Sequence, residues 1–464
     1  MEQFDTVVAI STPRAQGGIS VIRISGENAL AAADCIFSPL SRKEKPSQMQ
    51  GYTCAYGFFL DSDGNRIDDG ILTVFRTPHS YTGEDVVELS CHGGIYVTDK
   101  LLRRIYECDV SPAGAGEFTK RAFLNGKMSL TQAEAVADII SAQGDAFCRT
   151  AVSIKDGSTY RETEKLSQRL ITVLGAVAAW IDYPEEDIDE ITPKSMRAEL
   201  SDISLELKKI SATYDRGRIL RQGIKAVIAG KPNAGKSTLM NLLCGCERSI
   251  VTDIAGTTRD VIEETVRLGD ILLRLSDTAG IRTSSDVIEQ AGIDLAYRHM
   301  EQAELIIAVF DGSVPLNEYD FELISRCKAL LGSGTRVIAC INKCDKETIC
   351  EKKIIYDSFQ QVVEISAKNN SALDTIQTVL TNMYMTDSID NITQTLIVNE
   401  RQKLCIDMAA ARIDEALTAL DSGITLDAVN VVLDEAENAL LKLNGQKASE
   451  EVVNEVFSHF CVGK

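Results

Sequence analysis

The feature that most constrains this chain is the octapeptide GKPNAGKS at residues 230–237. A β-branched run at 224–229 precedes it, and residues 237–243 continue with helical periodicity. Strand, glycine-rich loop and helix in this order predict a phosphate-binding loop, because the glycines let backbone N–H groups turn toward phosphate oxygens. Lys236 is expected to reach the β- and γ-phosphates, and Ser237 is expected to hold Mg²⁺. The loop residues predicted to bind a nucleoside triphosphate are Asn233, Ala234, Gly235, Lys236, Ser237 and Thr238.

Two later segments predict which base is bound. Asn342-Lys343-Cys344-Asp345 follows an apolar run at 337–341, and a carboxylate at position 345 accepts hydrogen bonds from N1 and N2 of guanine. Adenine does not offer this donor pair, and a polar pocket rejects a base that leaves buried groups unpaired. The run at 362–365 leads into the second segment, which is expected to complete the pocket. The residues predicted to bind guanine are Asn342, Lys343, Asp345, Ser366, Ala367 and Lys368.

Two further segments are expected to close over the phosphates. Asp277 follows the strand-like run 271–275, which places it near the metal, and Gly280 is expected to donate its N–H to the γ-phosphate. Thr258 has the position of a switch threonine that closes over Mg²⁺. The nucleotide-binding residues predicted in these segments are Thr252, Asp253, Ile254, Ala255, Gly256, Thr257, Thr258, Asp277, Thr278, Ala279 and Gly280. The order of all these segments predicts a GTPase.

Ile281 leaves the hydrolytic step open. Ras-type enzymes orient the attacking water with a glutamine at this place, and an isoleucine cannot form that hydrogen bond. A nearby carboxylate (Asp286, Glu289 or Asp294) is one alternative, and a cation that replaces an arginine finger is another. A third alternative is slow hydrolysis that waits for a partner.

Composition narrows the class of protein. The 464 residues are enough for about two to four domains. Thirteen cysteines without regular spacing indicate a reducing compartment. The longest apolar stretch, residues 171–181, is too short to span a bilayer, and the acidic start is unlike a signal peptide, so we expect a cytoplasmic protein. A net charge of −20 argues against a broad electrostatic grip on nucleic acid, but it leaves room for a local basic patch.

The hydrophobic pattern divides the chain into regions. Short alternating strands in the first 127 residues, at 6–10, 20–24, 52–60, 71–75 and 85–90, predict an α+β domain. Helical periodicity flanks the nucleotide motifs, over 151–180 and 193–220 before them and over 401–420, 426–443 and 449–460 after them, with Gly445 as a C-cap. Neither helical half contains a complete core, so we expect one helical bundle interrupted by the nucleotide domain.

The predicted fold class is therefore multidomain. It combines an α+β N-terminal domain, an all-α helical domain and an inserted α/β P-loop GTPase domain. The predicted boundaries are 1–127 for the N-terminal domain, 128–222 for the first helical half, 223–385 for the GTPase domain and 386–464 for the second helical half.

Several segments have no reason to occur in a generic GTPase. They are GGISVIRISG at 17–26, YTGEDVVE at 81–88, HGG at 92–94, GEFTKRAFLNGK at 116–127 and the terminal FCVGK at 460–464. Together with GKPNAGKS and IAGTTRD at 254–260, they closely resemble the MnmE (TrmE) family of tRNA-modification GTPases. The resemblance covers essentially the whole length in the same order, and the terminal cysteine motif is its most discriminating part.

The resemblance implies a fold and a set of partners. The N-terminal domain would be similar to the folate-binding domains of aminomethyltransferases and would form a homodimer. A flavoprotein partner carrying FAD would join it in a heterotetramer. The complex would install an aminomethyl or carboxymethylaminomethyl group on C5 of the wobble uridine, position 34, of certain tRNAs. The one-carbon unit would come from a tetrahydrofolate derivative.

The resemblance also implies roles for individual residues. Arg23, Glu88, Lys127 and Lys464 match the positions expected to contact folate, and Cys461 matches the family's essential cysteine. A K⁺ ion is expected in the nucleotide site when two GTPase domains meet, and it would address the hydrolytic question that Ile281 leaves open. Its expected ligands are Asn233, Thr252, Ile254 and Thr257, and Glu289 matches the residue expected to orient water.

On the sequence alone a second class of function stays open. A regulatory dimeric GTPase switch, for instance in ribosome assembly, would carry the same nucleotide motifs without modification chemistry. The terminal Cys461 and Lys464 favour the enzyme, since a switch has no use for a reactive thiol there.

Overall fold

A seven-stranded sheet occupies the N-terminal part of the chain in the computed structural model, which describes residues 5–40, 44–182, 193–245, 263–276, 297–369, 371–384 and 396–464. The strands are β1 (Val7–Ile10), β2 (Ile19–Ser25), β3 (Phe37–Pro39), β4 (Thr53–Leu60), β5 (Arg66–Phe75), β6 (Val86–His92) and β7 (Ser111–Pro112). Their order is β3-β4-β5-β6-β2-β1-β7, and only β1 and β7 pair in parallel. The five strands predicted here are confirmed, although β5 begins at Arg66 rather than at residue 71.

Strand alternation gives this sheet one apolar and one polar face near its centre. Ile22, Ile24 and Leu89 are fully buried and pack in one core with Leu101 and Ile105. The last two lie on α2 (Ile95–Tyr106), which packs on the sheet with α1 (Ala29–Ile36). Because successive strand side chains point to opposite faces, the residues between the buried ones face the other way. That second face is where α3 (Glu117–Leu124) contacts the sheet.

Five helices follow, and two predicted helices are interrupted. They are α4 (Leu130–Ser141), α5 (Asp145–Lys155), α6 (Ser158–Asp182), α7 (Pro193–Ser211) and α8 (Tyr214–Gln222). One continuous helix over 151–180 is wrong: the chain turns at Gly157, and Arg161 donates a 2.7 Å hydrogen bond to the carbonyl of Asp156. One helix over 193–220 is also wrong. The Thr213 hydroxyl donates to the carbonyl of Ile210 at 2.6 Å, and such a local bond competes with the helical ladder.

The nucleotide motifs belong to a six-stranded sheet of apolar strands. These are β8 (Ile224–Ala229), β9 (Glu263–Leu268), β10 (Ile271–Ser276), β11 (Leu305–Asp311), β12 (Arg336–Asn342) and β13 (Val362–Glu364). The order is β13-β12-β11-β8-β10-β9, with every pair parallel except β9 and β10. The helices of this region are α9 (Lys236–Gly245), α10 (Glu318–Leu331), α11 (Lys352–Tyr356) and α12 (Ser371–Tyr384). Ligands of such sheets bind beyond the carboxyl ends of the strands, which here are Ala229, Asp311 and Asn342.

Three helices complete the chain: α13 (Glu400–Asp421), α14 (Leu426–Asn444) and α15 (Glu450–Ser458). They agree with the three predicted helices, and Gly445 is the C-cap of α14, as predicted. Helices from before and after the second sheet pack together. Ser167 of α6 donates to Glu437 of α14 at 2.6 Å, and Ser204 of α7 donates to Asp414 of α13 at 2.6 Å.

The chain divides into two units by backbone proximity: residues 1–137, 154–207 and 405–464 form one, and residues 138–153 and 208–404 form the other. The first contains the N-terminal sheet, and the second contains the nucleotide motifs. The multidomain fold class predicted from the sequence is confirmed, while its boundaries stay predictions. Within the described ranges, no helix is long and apolar enough to cross a membrane.

Candidate functional site

The phosphate-binding loop joins the end of β8 to the start of α9. Gly235 has a φ of +103°, and a Cβ atom there would lie 2.1 Å from Nδ2 of Asn342. Only glycine fits such a position, because it combines left-handed backbone with close approach of a neighbouring polar group. Asn233 is also left-handed, with a φ of +60°, which asparagine tolerates better than most residues. Gly235 and Asn233 therefore permit the left-handed backbone that this loop requires.

Lys236 is held at the start of α9 by main-chain oxygens. Its Nζ donates to the carbonyls of Gly230 at 2.7 Å and of Lys231 at 2.9 Å. Burial lowers the pKa of the Lys236 ammonium. A nearby phosphate would offset this effect, since opposite charge favours the protonated form. The lysine is thus placed beside a cavity of about 420 Å³ that the loop and the predicted base residues line.

Asn342 connects the phosphate end of this cavity to the base end. Its Nδ2 donates to the carbonyl of Ala234 at 2.8 Å, and its Oδ1 accepts from the N–H of Ala367 at 2.9 Å. Ser366 donates from its hydroxyl to Asp345 Oδ1 at 2.7 Å. This hydrogen bond is the main reason why the pKa of Asp345 is below its usual value. Asp345 is therefore ionised near neutral pH and can accept from N1 and N2 of guanine.

Asp311 lies beside the candidate nucleotide site, next to Lys343, and sequence reasoning missed it. Lys343 has a φ of +67°, and its Nζ donates to Asp311 Oδ2 at 2.5 Å and to the carbonyl of Asn233 at 2.7 Å. Burial raises the pKa of Asp311, but the hydrogen bonds from Lys343 and Ser313 together outweigh it and keep the pKa low. The signal was present, since Asp311 is an acidic residue that ends a fully apolar strand at the carboxyl edge of the sheet.

The predicted switch and metal segments lie outside the described residues. This applies to Thr252, Asp253, Ile254, Ala255, Gly256, Thr257, Thr258, Asp277, Thr278, Ala279, Gly280 and Glu289. The loop and base residues, in contrast, all lie along one cavity or directly against it.

A second cluster of predicted residues lies on the polar face of the N-terminal sheet. Arg23 and Glu88 are directly opposite each other on β2 and β6, with 2.7 Å between Arg23 Nη2 and Glu88 Oε1. The guanidinium lies 5.4 Å from the ring centres of both Tyr81 and Phe118, within cation–π range. The two rings were not anticipated from the sequence. We call these four residues the Arg23 cluster.

The C-terminal segment 460–464 runs beside the Arg23 cluster. Val462 forms an antiparallel bridge with Ala115, and the carbonyl of Lys464 accepts from the N–H of Phe118 at 3.0 Å. The carbonyl of Cys461 accepts from the N–H of Gly116 at 3.3 Å, and its side chain is exposed. The main chain of Lys464 thus contacts Phe118 of the Arg23 cluster, and that of Cys461 contacts Gly116, two residues before Phe118.

Gly463 fixes the path of this segment. Its φ is +99°, and a Cβ atom there would lie 2.2 Å from the carbonyl oxygen of Ile10. Phe460 anchors the other side through a buried apolar cluster with Phe457 and Leu130. The fourth predicted folate residue, Lys127, donates to the carbonyl of Pro78 at 2.8 Å.

The first of these sites defines a class of protein: a P-loop guanine-nucleotide-binding protein of the α/β type. Residues 130–461 match the family described as MnmE helical domain, and residues 6–127 match that described as GTP-binding protein TrmE N-terminus. The chain is 40% identical over 462 residues to the tRNA modification GTPase MnmE of Clostridioides difficile strain 630, covering 99% of each chain. It is 39% identical over 464 residues to that of Carboxydothermus hydrogenoformans, again covering 99% of each. The chain therefore belongs to the MnmE (TrmE) family and is a GTPase.

Proposed function

We propose that this chain is the GTP-hydrolysing component of a complex that modifies C5 of the wobble uridine, position 34, of tRNA. The product carries an aminomethyl or carboxymethylaminomethyl group. The chain acts in the cytoplasm as a homodimer, together with a flavoprotein partner that carries FAD. The observation that carries the proposal is the placement of the Cys461 segment against the Arg23 cluster, since a GTPase switch requires neither.

The Arg23 cluster fits a tetrahydrofolate derivative by its chemistry. Glu88 retains a carboxylate oxygen that Arg23 does not contact in the ion pair, and a carboxylate accepts from the donors of a pterin ring. Arg23, Lys127 and Lys464 supply positive charge suited to the glutamate tail. The folate supplies a one-carbon unit when it is bound. The chain's own residues bind and orient it beside the exposed thiol of Cys461.

The thiol of Cys461 is suited to act as a nucleophile toward the uridine ring. Thiolates are strong nucleophiles, and an exposed cysteine is accessible to a base that the tRNA presents. Main-chain hydrogen bonds hold the C-terminal segment before and after Cys461, at Phe460 and at Lys464. We assign it the catalytic role in modification.

We assign two cations, Mg²⁺ and K⁺, to the nucleotide site as part of this proposal. Ser237, at the start of α9, and Thr258 are the proposed Mg²⁺ ligands. Asn233 is among the residues that line the nucleotide cavity, and its amide oxygen is the ligand that we propose for K⁺. The other proposed K⁺ ligands are Thr252, Ile254 and Thr257. When bound, the cations would neutralise charge on the phosphates, and Glu289 would orient the attacking water.

The direct test of this function is nucleoside analysis of tRNA. Cells that lack this chain should contain position-34 uridine without the C5 substituent, and the wild-type gene should restore it. Mass spectrometry of digested tRNA measures both forms. Unchanged modified uridine in the deletion strain would reject the proposal and favour the regulatory switch.

GTP turnover should depend on potassium. We expect kcat to be about tenfold or more higher in KCl than in NaCl at equal ionic strength, because K⁺ replaces the charge of an arginine finger. The control is Asn233→Gly, which keeps the left-handed backbone and removes the amide ligand. Its turnover should be slow in both salts. Equal wild-type rates in KCl and NaCl would contradict the K⁺ site.

A further inference from the structure

The second residue of the phosphate-binding loop buries its charge instead of presenting it to phosphate. Lys231 Nζ lies 2.6 Å from Asp320 Oδ2, and the two side chains are 9% and 0% exposed. The ion pair between Arg326 and Glu322, on the same helix as Asp320, is far more accessible to water, since each of its side chains is 45% exposed. Desolvated charges are costly unless both partners stay in place. Lys231 and Asp320 are therefore tightly bound to each other.

Asp320 is itself fixed in the first turn of α10. Its Oδ2 accepts from the N–H of Asn317 at 3.1 Å, and its N–H donates to Asn317 Oδ1 at 3.2 Å, which forms a capping box. The positive end of the helix dipole also favours a carboxylate here. Asp320 Oδ1 is buried and has no hydrogen-bond partner among the described residues. Lys231 thus supplies the charge that compensates this buried carboxylate.

The main chain of Lys231 contacts Lys236, the lysine predicted to reach the phosphates. Its carbonyl accepts from Lys236 Nζ at 2.9 Å and from the N–H of Ala234 at 3.3 Å. A side chain anchored to α10 fixes the position of this carbonyl, and the carbonyl orients the ammonium of Lys236. The anchor also fixes the turn that leads to Gly235.

We propose that Lys231 and Asp320 are a positioning pair for GTP binding and hydrolysis. The pair ties the start of the phosphate-binding loop to α10 and holds Lys236 where the β- and γ-phosphates bind. It also neutralises Lys231, which leaves Lys236 as the phosphate-facing cation of these two lysines. Neither Lys231 nor Asp320 is among the residues predicted to bind the nucleotide.

The test separates positioning from stability by removing both charges at once. Lys231→Met alone leaves a buried unpaired carboxylate and is expected to destabilise the fold, so it is not informative. Lys231→Met combined with Asp320→Leu replaces the pair by apolar side chains, a change that is often neutral for stability. We expect this protein to melt near the wild-type temperature while its KM for GTP rises by about tenfold to 100-fold. kcat should fall as well, because Lys236 also contacts the transition state.

Rescue and control variants complete the experiment. Lys231→Arg retains the ion pair and should restore KM to near the wild-type value. Glu322→Gln removes a charge from the exposed surface of the same helix and should leave KM unchanged. If the double variant does not fold, Lys231→Gln combined with Asp320→Asn provides the same comparison, since it removes both charges and keeps side chains of similar shape. Wild-type KM and kcat in either folded variant would show that the pair serves stability alone and overturn the proposal.

Discussion

Gly235→Ala is expected to abolish useful GTP binding. An alanine in left-handed backbone costs roughly 1–2 kcal/mol, and its Cβ would lie 2.1 Å from Nδ2 of Asn342. Asn342 must then move, which breaks its hydrogen bonds to Ala234 and Ala367. Two lost hydrogen bonds add about 1 kcal/mol each, so the dissociation constant for GTP should rise about 100-fold or more. Titration with a fluorescent GTP analogue measures this change.

A glycine at the far end of the helix that follows the loop provides the control. Gly245 is the last residue of α9, and a Cβ atom there meets nothing within 4 Å. Gly245→Ala should bind GTP as the wild type does. Circular dichroism should show a folded protein in both variants. Normal affinity in folded Gly235→Ala would mean that Asn342 does not join the phosphate and base ends of the site.

Cys461→Ser is expected to eliminate tRNA modification while GTP turnover stays near normal. A hydroxyl is far less acidic than a thiol and is a much weaker nucleophile without a dedicated base. Residues 460–464 belong to the unit that contains the N-terminal sheet, so the change leaves the nucleotide cavity intact. Position-34 uridine should therefore match that of cells lacking the chain. Nucleoside mass spectrometry and a phosphate-release assay on the same variant measure the two activities.

Substitutions at the two residues after Cys461 distinguish the chemistry of its sulfur from the position of the segment that carries it. Val462 is 61% exposed and bridges Ala115 through its backbone, so Val462→Ala should modify tRNA normally. Gly463→Ala retains the thiol, but its Cβ would lie 2.2 Å from the carbonyl oxygen of Ile10 and would displace the segment. This variant should lose modification as Cys461→Ser does. Modified uridine at wild-type levels in Cys461→Ser would remove the catalytic role from this cysteine.

Local sequence was sufficient for the phosphate and base loops. In each loop, the glycines or polar residues follow an apolar strand directly. This local spacing is enough to indicate a nucleotide site. The same reasoning failed over 151–180 and 193–220, where Gly157 and the hydroxyl of Thr213 interrupt an otherwise helical pattern.

Contacts between residues that are far apart along the chain could not be predicted from the sequence. Lys231 and Asp320 are 89 positions apart, and their pairing depends on how α10 packs against the sheet. The Arg23–Glu88 pair depends on the register of β2 and β6, across 65 positions. The rings of Tyr81 and Phe118 approach Arg23 from a loop and from α3, so their positions depend on tertiary packing as well. Family resemblance indicated some of these residues, but not which atoms they contact.

The bridge between Ala115 and Val462 also determines when the thiol site can form during protein synthesis. Translation proceeds from the N-terminus, so the sheet that receives residues 460–464 emerges long before they do, and it can fold without them. A nascent chain that stalled just short of Cys461 would already carry every residue of the nucleotide cavity. Interrupted synthesis would then yield chains that carry the nucleotide cavity but lack the thiol that we propose to act on RNA.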